Sequence, residues 1–216
     1  MPLLDSYDTF IFDWDGTLST STFAVRLSRF LRRRYSASYV TAHVKEYARK
    51  GINVKDLTTV INAEKANKRY EALYNLYAMI FMPKIKPGAI EVLKFLKSKG
   101  KRVIIFSDSK SYRLLYEVRR LGVSKYIDFV LGASTIDSYK PDPSGLLFII
   151  KKYKANKKSC VYIGDMVTDV LTAKLAGISS CGVSDGFDST SLLSSSKPDY
   201  IYDSLNNMLE DMKETD

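Results

Sequence analysis

Beyond Pro87 the chain alternates helix-like and strand-like segments four times over, and this rhythm restricts the possible folds more than any other feature. Helical spacing at Ile90, Leu93 and Leu96, closed by Gly100, gives way to a strand-like run over 102–106. A helix over 114–121, closed by Gly122, precedes a strand over 127–131. A helix over 144–153 precedes a strand over 160–163, and one over 168–176, closed by Gly177, precedes a strand over 178–183. Upstream, the apolar run 9–12 ends at an acidic turn containing glycine and reads as a first buried strand. The strands are nearly continuously apolar, so both faces of their sheet need cover. That pattern predicts an α/β core with a parallel sheet between two layers of helices.

Residues 20–82 break the rhythm. Phe23, Leu27, Phe30 and Leu31 recur at helical spacing after a Ser/Thr cluster, as do Val40, Val44, Tyr47 and Ala48. Ala66, Tyr70, Leu73, Tyr77 and Ile80 continue the pattern, and no strand signal interrupts it. The reading is therefore an α/β core over 1–19 and 83–216 that carries a small helical insertion over 20–82. Charge separates the two parts as well. Between Ser19 and Lys86 there are fourteen Lys and Arg against four Asp and Glu, whereas the remainder holds nineteen against twenty. Nearly the whole net charge of +9 thus belongs to the insertion, which points to an anionic partner or substrate on that side.

The longest apolar stretches, 78–82 and 146–150, are too short to span a bilayer, and the first ten residues lack the pattern of a secretory leader. Cys160 and Cys181 sit in strand-like contexts without a His or Cys at ligand spacing, as expected of buried free thiols in a cytoplasmic protein.

In an open parallel sheet, ligands bind beyond the carboxyl ends of the strands. Those ends are chemically unusual here. The first strand runs into Asp13-Trp14-Asp15-Gly16-Thr17, the second into Ser107-Asp108-Ser109, and the fourth into Gly164-Asp165 with Asp169 four residues on. Tyr139-Lys140-Pro141 follows the third. Acids, a lysine and a hydroxyl converging on one edge would be costly to bury unless a cation and an anion occupied the place. Each residue also has an ordinary reading when taken alone. Asp13 and Asp15 could cap a turn, Asp169 could be a helix-start charge, and Ser107 and Lys140 could be surface residues. Asp108, Ser109 and Lys110 are read as a helix N-cap.

Taken together and in this order, DWDGT, the strand-ending serine, the isolated Lys-Pro and GDMVTD resemble the four motifs of the haloacid dehalogenase superfamily. The resemblance covers 7–19 and 87–185. It implies a Rossmann-like three-layer core and, for an insertion at this point, a C1-type helical cap like that of phosphoglycolate phosphatase-like members. It further implies Mg²⁺ as cofactor, with Asp13 as the nucleophile that becomes an aspartyl-phosphate and also as a metal ligand. Asp15 corresponds to the general acid and base, its backbone carbonyl on the metal. Asp165 and Asp169 correspond to the remaining metal residues, the latter binding or orienting a metal-bound water. Ser107 and Lys140 correspond to the groups that grip the phosphoryl oxygens. Gly16 and Gly164 allow close backbone approach.

Relatives that cleave carbon–halogen bonds lack the second acid, and those that cleave phosphonates carry a small residue in its place. Asp15 therefore points to a phosphatase acting on a small phosphorylated metabolite, such as phosphoglycolate, a sugar phosphate or a nucleotide. Phosphomutases keep both acids and are the first alternative. A nucleic-acid-binding module using the basic insertion is the second, weakened by the absence of a recognition motif and by the acidic strand ends. Arg26, Arg29, Arg32, Arg33 and Arg34 form one basic helix whose arginines are candidates for steering anionic substrates. His43 is read as a packing or surface residue, Tyr70, Tyr74 and Tyr77 as packing residues, and Trp14 is expected to point away from the site.

Overall fold

The computed structural model describes residues 3–20, 82–136 and 138–214. The readings for the insertion, including the basic helix, His43 and the tyrosines, lie outside the described residues.

Six parallel strands form one sheet: β1 (Thr9–Phe12), β2 (Arg102–Ser107), β3 (Phe129–Gly132), β4 (Cys160–Gly164), β5 (Ser179–Val183) and β6 (Tyr200–Tyr202). Their order across the sheet is β3-β2-β1-β4-β5-β6. The helices among the described residues are α1 (Leu3–Ser6), α2 (Ala89–Ser98), α3 (Ser111–Arg120), α4 (Ser144–Tyr153), α5 (Val167–Ala176), α6 (Thr190–Ser195) and α7 (Leu205–Glu214). Alternation along each strand splits the core into two layers. Phe10, Phe12, Val103, Ile105, Val161 and Ile163 pack with α1, α2, α3 and α7. Ile11, Ile104, Phe106 and Tyr162 point the other way, onto α4 and α5. Both faces of the central strands are therefore dry, which is why their sequences are continuously apolar. The sequence reading of a three-layer α/β core is borne out, with β6, α6 and α7 added at its end. β6 has a weak signal, being three residues long and not fully buried, whereas α7 carries a helical stripe of Leu205, Met208, Leu209 and Met212.

The order places β1 in the middle and reverses the direction of winding between β1 and β4. That is the switch point at which a crevice opens beyond the strand ends. β1 pairs with β4 so that Phe12 lies opposite Ile163, and the Asp13 amide donates to the Ile163 carbonyl at 2.8 Å. Asp13 and Asp165 are thereby brought to the same edge. The chain leaves the core at Thr20 and has returned by Lys84, where the two ends pair: the Thr20 amide donates to the Lys84 carbonyl at 2.7 Å, and the Lys84 amide to the Thr20 hydroxyl at 2.9 Å. Both thiols are free and buried. Among the described residues no helix is long and apolar enough to cross a membrane.

Candidate active site

Two groups of buried charges meet at the mouth of β1, one on each side of it. On the β4 side, Asp13, Asp165 and Asp169 are almost wholly enclosed, and one carboxylate oxygen from each lies within 4.8 Å of the other two. Lys140 enters from the loop before α4. Its ammonium stands 3.0 Å from Asp13 Oδ1 and 2.6 Å from Asp169 Oδ1. Burial alone would push that ammonium towards its neutral form, but Asp13 and Asp169 outweigh it and hold the pKa well above the ordinary lysine value. Lys140 is therefore a fixed positive charge at neutral pH. Its own amide donates to Asp108 Oδ1 at 2.9 Å, and the Lys140-Pro141 bond is cis.

The other two acids are held by neutral donors as well. Asp165 accepts the Thr17 hydroxyl on Oδ1 and the Phe187 amide on Oδ2, each at 2.7 Å. Asp169 accepts the Met166 amide at 2.9 Å at the start of α5, and the Tyr162 hydroxyl lies 3.3 Å from its other oxygen. Burial pushes the Tyr162 phenol well above its usual range, so it stays a neutral donor. Gly16, with φ of +95°, and Gly164 each approach one of these acids closely. A Cβ on Gly16 would collide with the Asp165 carboxylate, and one on Gly164 with that of Asp169. The room these glycines leave is filled by the acids themselves.

On the β2 side, Asp15 Oδ2 forms an ion pair with Arg113 of α3 and accepts the Ser109 hydroxyl at 2.7 Å. Arg113 Nε lies 3.5 Å from Glu117 Oε1, and the Trp14 indole donates to Glu117 Oε2 at 2.6 Å. Burial raises the Glu117 carboxyl to about 7, against the opposing pull of Arg113. Trp14 is enclosed on the same side of the sheet as Phe10 and Phe12, away from the acidic cleft as expected.

An all-oxygen set of three converging carboxylates fits a hard divalent cation such as Mg²⁺. The Asp15 carboxylate is not part of that set, since it turns to Arg113 and Ser109. Ser107 is buried where β2 ends beside β1, with the Ser109 amide 3.4 Å from its hydroxyl. All six sequence-selected side chains thus gather at one edge.

The model of the haloacid dehalogenase-like hydrolases matches residues 7–177 of the chain. The chain belongs to this family. The hydrolase is 26% identical to a phosphoglycolate phosphatase of Vibrio parahaemolyticus over 212 residues, which take in 92% of this chain and 93% of that one. It is 25% identical to phosphoglycolate phosphatase 1 of Pseudomonas aeruginosa over 128 residues, covering 59% of this chain and only 47% of that protein. Its fold superimposes on the crystal structure of a predicted phosphatase from Clostridium acetobutylicum with a TM-score of 0.73, at 19% identity, over 96% of this chain and 99% of that one.

Several residues around the hydrolase site escape a reading by sequence. The N-cap reading of Asp108, Ser109 and Lys110 needs correction. Lys110 stands at the cap position of α3 without a capping side chain, while Asp108 and Ser109 face Lys140 and Asp15. Arg113 and Glu117 look like an exposed i,i+4 pair on a charged helix. Their one signal is that they adjoin Leu114 and Val118, the buried stripe of that helix. Lys86, counted with the basic segment, is instead a buried residue of the core.

Proposed function

We propose that this hydrolase is a Mg²⁺-dependent phosphatase that acts on a small phosphorylated metabolite through an aspartyl-phosphate on Asp13. The observation that carries the reading is the enclosed Asp13 carboxylate, held 3.0 Å from the Lys140 ammonium in the same cluster as Asp165 and Asp169. Asp13, Asp165 and Asp169, with the Asp15 backbone carbonyl, would hold the cation. Bound there, Mg²⁺ supplies charge neutralisation for a phosphate dianion meeting a carboxylate.

This chain's own residues do the rest. An Asp13 oxygen attacks phosphorus, the ester P–O bond breaks, and the leaving oxygen takes a proton from Asp15. Asp15, now ionised, removes a proton from water. That water attacks phosphorus and breaks the bond to Asp13, which releases phosphate and restores both acids. Arg113 and Ser109 fix the Asp15 carboxyl through Oδ2. Lys140 and the Ser107 hydroxyl would grip the phosphoryl oxygens, where charge changes most. The relatives named phosphoglycolate phosphatases favour a small acidic metabolite of that kind as substrate, and residues 20–82 would form a cap that keeps water out.

The test is phosphate release from a panel of phosphorylated metabolites, with Mg²⁺ or with chelator, using Asp13→Asn as control. Turnover that needs Mg²⁺ and vanishes in the variant is expected, with a loss on the order of 10⁴-fold or more. Isomerised substrate without free phosphate would mean a phosphomutase. Turnover that survives in Asp13→Asn would overturn the assignment of the nucleophile.

A further inference from the structure

Lys86 lies where the chain returns to the core after residue 82, and it is only 7% exposed. A buried lysine needs a reason, because enclosing an ammonium is costly unless good acceptors surround it. Its ammonium donates to the Gly16 carbonyl at 2.9 Å, to the Asp185 carbonyl at 3.3 Å, and pairs with the Asp185 carboxylate. Gly16 belongs to the loop after β1 and Asp185 to the loop after β5, so one side chain fastens two loops from different strands.

What those loops share is Asp165. Thr17, next to Gly16, donates to one of its oxygens, and the Phe187 amide, two residues beyond Asp185, donates to the other. Gly16 and Gly186 approach it so closely that a Cβ on either would collide with the Asp165 carboxylate. The Phe187 ring also lies against Gly16. Asp165 is thus gripped between two loops, and Lys86 is the tie that holds the grip shut.

We propose that the Lys86–Asp185 pair is a positioning device for Asp165, setting the affinity of the carboxylate cluster for its divalent cation. The proposal rests on the reading of Asp165 as a metal ligand. The bonds described for Lys86 run to Gly16 and Asp185, not to the cluster itself. They act by fixing the donors that orient one of its members, and losing such outer partners typically weakens metal binding by about 10–100-fold. The tie also sits at the junction with residues 20–82, so the cation site and that junction share one anchor.

Terbium(III) luminescence tests this directly. Trp14, the single tryptophan, lies next to Asp13 in sequence and serves as the sensitiser. Competition by Mg²⁺ then gives its affinity without any turnover. Lys86→Met and Asp185→Asn are each expected to raise the Mg²⁺ Kd by about 10–100-fold, Lys86→Arg by less, and the double variant by no more than the worse single one. Asp185 is exposed, so Asp185→Asn keeps the test open should Lys86→Met fail to fold. Folded variants that bind Mg²⁺ within twofold of the wild type would overturn the proposal, even if their Tm fell. No competable terbium signal in the wild type, or one that survives Asp165→Asn, would instead overturn the metal reading and the proposal with it.

Discussion

The two charged groups beside β1 solve the same problem in different ways. Around Asp13, three carboxylates gather about one lysine ammonium, which reaches two of them. Around Asp15, two carboxylates flank one guanidinium, and the farther one, Glu117, is pushed towards neutrality by burial while it accepts the Trp14 indole. The second group therefore closes on itself with little residual charge. Among the described residues the first is built with more negative than positive charge and is suited to taking a cation from outside. Enclosed charges of the first kind mark a place where something binds; those of the second kind mark a scaffold that aims a reacting group.

Removing the cation from each group should separate them most sharply. In chelator, Lys140→Met is expected to destabilise the fold by about 3–5 kcal/mol, since it strips an ammonium from two buried carboxylates. Added Mg²⁺ should recover part of that loss, because it supplies the missing charge to the folded state alone. Arg113→Met should be destabilising too, yet with no greater response to Mg²⁺ than the wild type shows. Chemical denaturation with and without Mg²⁺ measures both. Equal Mg²⁺ responses in the two variants would erase the distinction.

How much of this was legible in the sequence follows from what each residue does. Asp13, Lys140, Asp165 and Asp169 stand at or just beyond strand ends within recognisable motifs, and placing the strands placed them at one edge. The sheet was equally readable, because strands buried on both faces leave an unbroken apolar run. Arg113 and Glu117 were hidden for the opposite reason. A helical pair at i,i+4 is ordinarily solvated, and only the tertiary packing of α3 over Trp14 turns it inward. Lys86 was hidden by composition, since it lies within a basic stretch and its partner Asp185 is 99 residues away.

Glu117 gives the scaffold group its own signature in pH. Its carboxyl is raised from an ordinary 4.5 to about 7, so the folded state holds the proton more tightly than the unfolded chain does. The resulting stabilisation is complete below pH 4.5 and disappears as pH rises through about 7. Glu117→Gln keeps an oxygen for the Trp14 indole and cannot ionise. It should match the wild type near pH 4.5 and exceed it at pH 8 by roughly 3 kcal/mol. Denaturation midpoints across that range decide the matter. Parallel curves would mean that Glu117 stays charged beside Arg113, and the scaffold group would then be less self-contained than the comparison holds.

The smallest effect probes whether the scaffold serves catalysis at all. Ser109→Ala removes one of the two described donors to Asp15 Oδ2 and leaves Arg113 in place. A hydrogen bond to a charged group is worth about 1.5–3 kcal/mol, and with Arg113 still aiming the carboxyl the loss in kcat should fall near the low end, about tenfold. The choice of substrate makes this diagnostic. An alkyl phosphate needs its leaving oxygen protonated by Asp15, whereas p-nitrophenolate leaves readily without help. The variant should therefore lose about tenfold on the alkyl ester and little on the aryl one, with KM unchanged for both. A uniform loss on both would reduce Ser109 to a packing residue. It would also leave the group around Asp15 without evidence of a task beyond holding α3 to the sheet.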